Sequence, residues 1–209
     1  MLTAETIKRL NELVEHSREC ILKTADYIWK NPETGFREWK TSAYLAEIFK
    51  ELGFKPVLME NIPGFYADLD TGRPGPALAV LGELDSVICT SHPEADPETG
   101  AVHACGHHTQ CAYLVGAASV LRDPEILASL CGRIRFIAVP AEELIELEYR
   151  SSLRDEGIIK YIGGKELIHV KENYKPIFES RQAYFDFVDA LYSDRELISY
   201  SGDSATLVW

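Results

Sequence analysis

Arg133-Ile134-Arg135-Phe136-Ile137-Ala138-Val139-Pro140-Ala141-Glu142-Glu143 is the stretch that decides the fold. Its first half alternates charged and apolar residues and then turns wholly apolar, as a strand does when it enters a packed interior. It ends abruptly in a proline, a small residue and two adjacent acids. Open α/β sheets place their ligand-binding crevices at the C-terminal ends of strands. Adjacent acids are common on solvated surfaces, and without context that reading of Glu142 and Glu143 wins. Directly after an apolar strand, one carboxylate can bind a metal while its neighbour faces bound water.

Working upstream, Ile7, Leu10, Val14, Ile21, Ala25 and Ile28 recur at steps of three, four or seven and mark an amphipathic helix. Thr3 suits its N-cap, and Asn31-Pro32 ends it, because proline biases its predecessor away from helix. A turn at Glu33-Thr34-Gly35 leads to a second helix over 41–52, with Gly53 in the C-terminal capping place. Strands are expected over 57–59, 65–69 and 77–81. The last is continuously apolar, as for a strand covered on both faces by helices. Residues 82–106 are polar and turn-rich and read as a surface loop carrying function. A helix follows over 109–121, then a short one with Asp123 as cap and Pro124 in first position. Alternating strands and helices imply an α/β layer architecture. Beyond Leu144 the chain is strongly charged and less patterned, with no repeat, low-complexity tract or clear linker.

Composition excludes several classes. With 209 residues, 46% hydrophobic and 26% charged, the chain can build one real core, perhaps with an appendage. A net charge of -12 argues against nucleic acid, whose phosphates require a basic face. No apolar run approaches the ~20 residues that span a bilayer, so no membrane partner is expected. The N-terminus lacks the basic start and apolar core of a signal peptide. Five scattered cysteines without a Cys-x-x-Cys pair fit reduced thiols and a cytoplasmic location. Cys20, Cys89, Cys111 and Cys131 read as small buried hydrophobes.

Cys105 is set apart by its company, His103-Ala104-Cys105-Gly106-His107-His108. A thiolate and an imidazole one residue apart make a clamp for a transition metal. For a lone Cys-x-His the simpler reading, an inward-packed thiol and a locally bonded ring, has the edge. Three imidazoles within six residues shift the balance. Asp85, in Gly82-Glu83-Leu84-Asp85, follows an apolar strand and is evenly poised between a second strand-end acid and an ordinary loop cap.

These segments, in this order, resemble the metallo-amidohydrolase family of aminoacylases, carboxypeptidase-like zinc exopeptidases and indole-acetyl-amino-acid or hippurate hydrolases. The likeness runs through Asn31-Pro32-Glu33-Thr34-Gly35-Phe36 with Thr41-Ser42, Gly82-Glu83-Leu84-Asp85, His103 to His107 with Gly116-Ala117-Ala118, and Pro140-Ala141-Glu142-Glu143. Weaker likeness continues through Gly163-Gly164-Lys165-Glu166-Leu167-Ile168. It is strongest over 1–170, with 171–209 divergent. The resemblance implies a three-layer α/β/α zinc-exopeptidase-like catalytic domain, of which 1–209 is the N-terminal part, incomplete and without its lid domain. It implies Cys105, His107 and Glu143 as metal ligands, Glu142 as the general base, and Asp85 as a residue orienting the site. It also implies two divalent metal ions, zinc first, with manganese or cobalt as alternatives. The substrate would be a small-molecule amide or peptide, cleaved at the amide bond of an N-acyl amino acid. Homo-oligomerisation stays open.

The departures are specific. His108 stands where the family has Asp or Asn, and Gln110 where it often has histidine. His169 is the one histidine after His108, and Asp194 is a candidate substitute for the family's later ligands. Three family-matched ligands are few for two metals, so slow or absent hydrolysis is expected of this chain alone. The alternatives are an inactive metal-binding or interaction module keeping the front half of the fold, and a cysteine hydrolase with Cys105 as nucleophile. The latter leaves the Glu-Glu pair without a task.

Overall fold

The computed structural model describes residues 3–144, 161–162, 165–166, 198–201 and 204–207. The chain divides into two units, Met1–Glu166 and Leu167–Trp209. Helix α1 spans Ala4–Lys30, and the Thr3 side chain accepts the Thr6 amide at 3.1 Å. Helix α2 spans Trp39–Glu51 and starts two residues earlier than the sequence suggests. Glu33 allows this, because its carboxylate accepts the amides of Lys40 at 3.1 Å and Thr41 at 2.8 Å. At the far end Gly53 has φ +87°, its amide donates to Lys50 O, and the Phe54 amide reaches back to Phe49 O. That is a Schellman termination, closed by the Phe49–Phe54 ring contact at 5.3 Å.

Strands β1 (Val57–Leu58), β2 (Phe65–Asp70), β3 (Ala77–Glu83) and β6 (Arg133–Val139) form a sheet in the order β1-β2-β6-β3. β2 runs antiparallel to β6, and β3 runs parallel to it with Glu83 opposite Val139. Between them, β4 (Val87–Ile88) and β5 (Ala101–Val102) pair antiparallel. Helix α3 spans His107–Leu121 and α4 spans Pro124–Ser129, the latter capped by Asp123 as expected. Hairpin β7–β8 (Tyr161–Ile162, Lys165–Glu166) belongs to the first unit; β9–β10 (Ile198–Ser201, Ser204–Leu207) belongs to the second.

The core lies between the sheet and α2 and α3. Phe49 of α2 meets Phe54, Phe65 and Phe136 with ring centroids 5.2–5.7 Å apart, and Leu114, Val115 and Ala118 of α3 complete the cluster. α1 packs on α3, where Ser17 and Ser119 hydroxyls meet at 2.8 Å. Gly116 leaves room for Ile21, whose Cδ1 would lie 2.9 Å from a Cβ there.

Four expectations need correction. Ile7 and Val14 are 48% and 47% exposed rather than sharing a buried face with Ile28. A seven-residue step falls about 20° short of two turns, so the row Ile28-Ile21-Val14-Ile7 drifts off the contact face. Ser17 and Thr24 are buried there instead. β3 is not covered on both faces: Leu78 is 59% exposed, and β3 ends the sheet order among the described residues. The opposite sheet face carries Arg135, which pairs with Asp68 at 2.6 Å and lies over Tyr66. Residues 82–106 are not a plain surface loop, since Asp85, Ser86 and His103 are buried. Of the four cysteines assigned to the interior, Cys111 alone is buried, while Cys20 and Cys131 are exposed and Cys89 is half-buried. All five are free thiols, and no helix among the described residues is long and apolar enough to cross a membrane.

Phe49→Ala should lower unfolding stability by about 3–5 kcal/mol, since it empties the centre of the aromatic cluster. Leu22→Ala, at a site 57% exposed, should stay within about 0.5 kcal/mol. Urea titration of both variants checks the contrast.

Candidate metal centre

The parallel pairing of β3 with β6 brings two acid-bearing strand ends side by side. The Leu84 amide donates to Val139 O at 2.9 Å, carrying the pairing past Glu83. β3 therefore delivers Glu83 and Asp85 beside the turn that delivers Glu142 and Glu143. That turn is a short 3-10 helix, Glu142–Leu144. The third contribution comes from Cys105 and His107, at the start of α3. Gly106 has φ +96°, a left-handed conformation that glycine adopts without strain, and it turns the chain between them.

His107 is buried at the centre. Its Nδ1 lies 2.9 Å from Asp85 O and 3.2 Å from Asp85 Oδ1. Donation from Nδ1 leaves Nε2 facing the acids: Glu83 at 3.0 Å, Glu142 at 3.7 Å and Glu143 at 3.9 Å. Burial alone would lower the His107 pKa. Hydrogen bonds with Asp85, Cys105 and Glu83 overcome that and raise it far above the imidazole range. Glu143 is pushed up by burial and by Asp85, Glu142 and Glu83, against the pull of His107. Such a gathering of acids around one imidazole is the environment in which a divalent cation is favoured.

Donor atoms of Cys105, His107 and Glu143 lie within 4.8 Å of one another, and so do those of Glu83, His107 and Glu142. Thiolate, imidazole and carboxylate suit zinc, and at metal–ligand distances of about 2.0–2.3 Å one ion reaches such a trio with small side-chain rotations. The residue set therefore fits a metal. The structure thus brings together Cys105, His107, Glu142, Glu143 and Asp85. Asp85 is fully buried and supports from below: its Oδ2 accepts the Glu143 amide at 2.8 Å, and its carbonyl meets His107 and the Cys105 thiol. His103 and His108 join neither trio. His169 and Asp194 lie outside the described residues.

Two residues of this site escaped the sequence reading. Glu83 was legible in principle, because residues i and i+2 of a strand share a face and Asp85 was already a candidate. Its carboxylate is held by Gln110 Nε2 at 2.8 Å, so the residue that departs from the family pattern has a contact here. Glu38 was not legible. It is fully buried at the N-cap of α2 and accepts the Ala141 amide at 2.7 Å.

No family model matches the chain. Thermostable carboxypeptidase 2 of Saccharolobus solfataricus is 27% identical over 186 residues, which is 85% of this chain and 46% of that protein. N-acetyl-L-cysteine deacetylase of Bacillus subtilis is 34% identical over 122 residues, 56% of this chain and 28% of that protein. The crystal structure of a dinuclear metal-binding peptidase of the M20 family from Bacillus subtilis matches with a TM-score of 0.59 and 26% identity, covering 69% of this chain and 40% of that one. These relatives support the metallo-amidohydrolase family for this chain, which has the α/β fold of part of an M20 catalytic domain. It spans less than half the length of these relatives.

His103 offers a pH test. It is fully buried, and neither ring nitrogen has a hydrogen-bond partner among the described residues. Burial, then the neighbouring His108 and His107, lowers its pKa from 6.5 to about 3. Between those values the unfolded chain binds a proton that the folded chain refuses, so stability falls as pH falls through that window. His103→Leu in metal-free protein should flatten the loss of urea stability between pH 6.5 and 4, by up to about 1.4 kcal/mol per pH unit. Equal slopes would contradict the assignment.

Proposed function

We propose that this chain carries a two-metal hydrolytic site that cleaves the amide bond of N-acyl amino acids or small peptides. One observation supports it above the others: side chains able to ligate metal, Cys105, His107 and Glu143 with Glu83 and Glu142 beside them, gather at the ends of paired strands. In this reading Cys105, His107 and Glu143 hold one ion, with zinc the best match to the donors. Glu83 offers a further carboxylate toward the second. When bound, the metal supplies Lewis acidity that makes water a nucleophile near neutral pH.

The chain's own residues do the rest. Glu142 is the proton carrier: it takes a proton from water and returns it to the departing amine. Its side chain is about one-third exposed, which leaves it accessible to water and substrate. Asp85 orients the cluster, fixing the His107 ring through Nδ1 and the Glu143 backbone through its amide. The substrate class is supported by relatives named as a carboxypeptidase, an N-acetyl-L-cysteine deacetylase and an N-acyl-L-amino acid amidohydrolase.

The test is an assay of the purified chain with zinc, manganese or cobalt against a panel of N-acyl amino acids and dipeptides. Turnover, however slow, should need added metal and stop with a chelator. Glu142→Gln should cut it by about 10²–10⁴-fold while leaving metal content nearly unchanged. Loss of metal in that variant would exchange the roles of Glu142 and Glu143. Turnover that persists without metal, or is unchanged in Glu142→Gln, would contradict the hydrolase reading; bound metal without any turnover favours a metal-binding module.

A further inference from the structure

We propose that Glu38 is a positioning residue whose carboxyl clamps the Ala141 amide and so fixes where the chain presents Glu142 and Glu143. The functional consequence rests on the metal-site reading above; the clamp itself does not.

Glu38 occupies the N-cap place of α2, where an acid would ordinarily accept the helix's first free amides. It makes no such bond. Glu33 takes that work, accepting from the amides of Lys40 and Thr41 and from the Thr41 hydroxyl. The Glu38 side chain is thereby free to turn inward, where it is fully buried and receives the Ala141 N–H at 2.7 Å through Oε1. Its Oε2 has no hydrogen-bond partner among the described residues. Burial, reinforced by the Asp85 charge, pushes its pKa well above the carboxylate range.

Burying a polar group is costly unless it is hydrogen-bonded, and the bond of Glu38 falls on the Ala141 amide. Here it holds strained backbone. Ala141 has φ +60°, a left-handed conformation rare for a residue with a side chain. Ala141 is itself fully buried and follows Pro140, which has no amide to donate. Two residues later the Glu143 amide is held by Asp85 Oδ2 at 2.8 Å. Two buried carboxyl groups from separate segments therefore pin the turn at both ends of Glu142. Releasing the first pin lets Ala141 relax out of the left-handed region, which re-aims both acids relative to β6.

The experiment measures amide hydrogen exchange by NMR on the metal-free 209-residue chain, with zinc affinity measured separately by chelator competition. Glu38→Gln keeps the acceptor oxygen and is neutral, so exchange at Ala141 and Glu143 should stay within about threefold of wild type. Glu38→Leu should speed exchange at both by about tenfold or more, with Phe136 and Ile137 unchanged. Glu143 is the informative amide, because its partner is Asp85 and not Glu38. Glu38→Asp withdraws the carboxyl by one carbon and should mimic the leucine variant, which covers the case in which leucine fails to fold. Zinc affinity should fall about tenfold in the leucine or aspartate variant and hold in the glutamine variant. Wild-type exchange at Glu143 in both shortened variants, or equal loosening of β6, overturns the proposal. Altered exchange in a protein that takes up no zinc would leave the clamp standing and remove the metal-site reading.

Discussion

The parallel register that sets Glu83 opposite Val139 is the constraint on which the rest depends. It aligns the C-terminal ends of β3 and β6, so that four acids on two segments approach one imidazole. Like charges do not gather without compensation. The price of the arrangement is visible in Glu143 and His107, whose pKa values are both pushed up by their surroundings. A slip of one residue would turn Glu83 and Asp85 to the opposite sheet face and dissolve the cluster. The aromatic packing around Phe49 and the glycine contact between α1 and α3 hold the helix start of α3, and hence Cys105 and His107, over that sheet end.

The same geometry ranks the chemical alternatives. A nucleophilic cysteine needs a histidine free to act as its base. His107 is instead engaged through both ring nitrogens, with Asp85 on one side and Glu83 on the other. Cys105 lies beside a carboxylate-rich cluster, where a thiolate gains less from its neighbours than from a shared cation. The donor set is thus better matched to metal ligation than to covalent catalysis, in keeping with the dinuclear metal-binding peptidase whose fold it resembles.

What could be read from sequence was what local chemistry decides. Helix ends at Thr3, Gly53 and Asp123 follow from capping, and the boundaries of β6 follow from its apolar run. The convergence of Cys105, His107 and Glu143 was reached by resemblance, since 36 residues separate the second from the third and spacing alone could not join them. What escaped depends on tertiary context. The exposure of Ile7 and Val14 reflects helical drift against a partner not yet known, and that of Leu78 its place at one end of the sheet order. Nothing in the sequence marks Glu38; only a contact with Ala141, far along the chain, reveals a buried acid.

Cobalt(II) titration of the metal-free chain, followed by absorption, tests most directly whether Cys105, His107 and Glu143 form one metal site. The account predicts a thiolate-to-cobalt charge-transfer band in the near ultraviolet, lost in Cys105→Ser and strongly weakened in His107→Ala and Glu143→Ala. Absence of the band in the wild-type chain, or its persistence in Cys105→Ser, would contradict it.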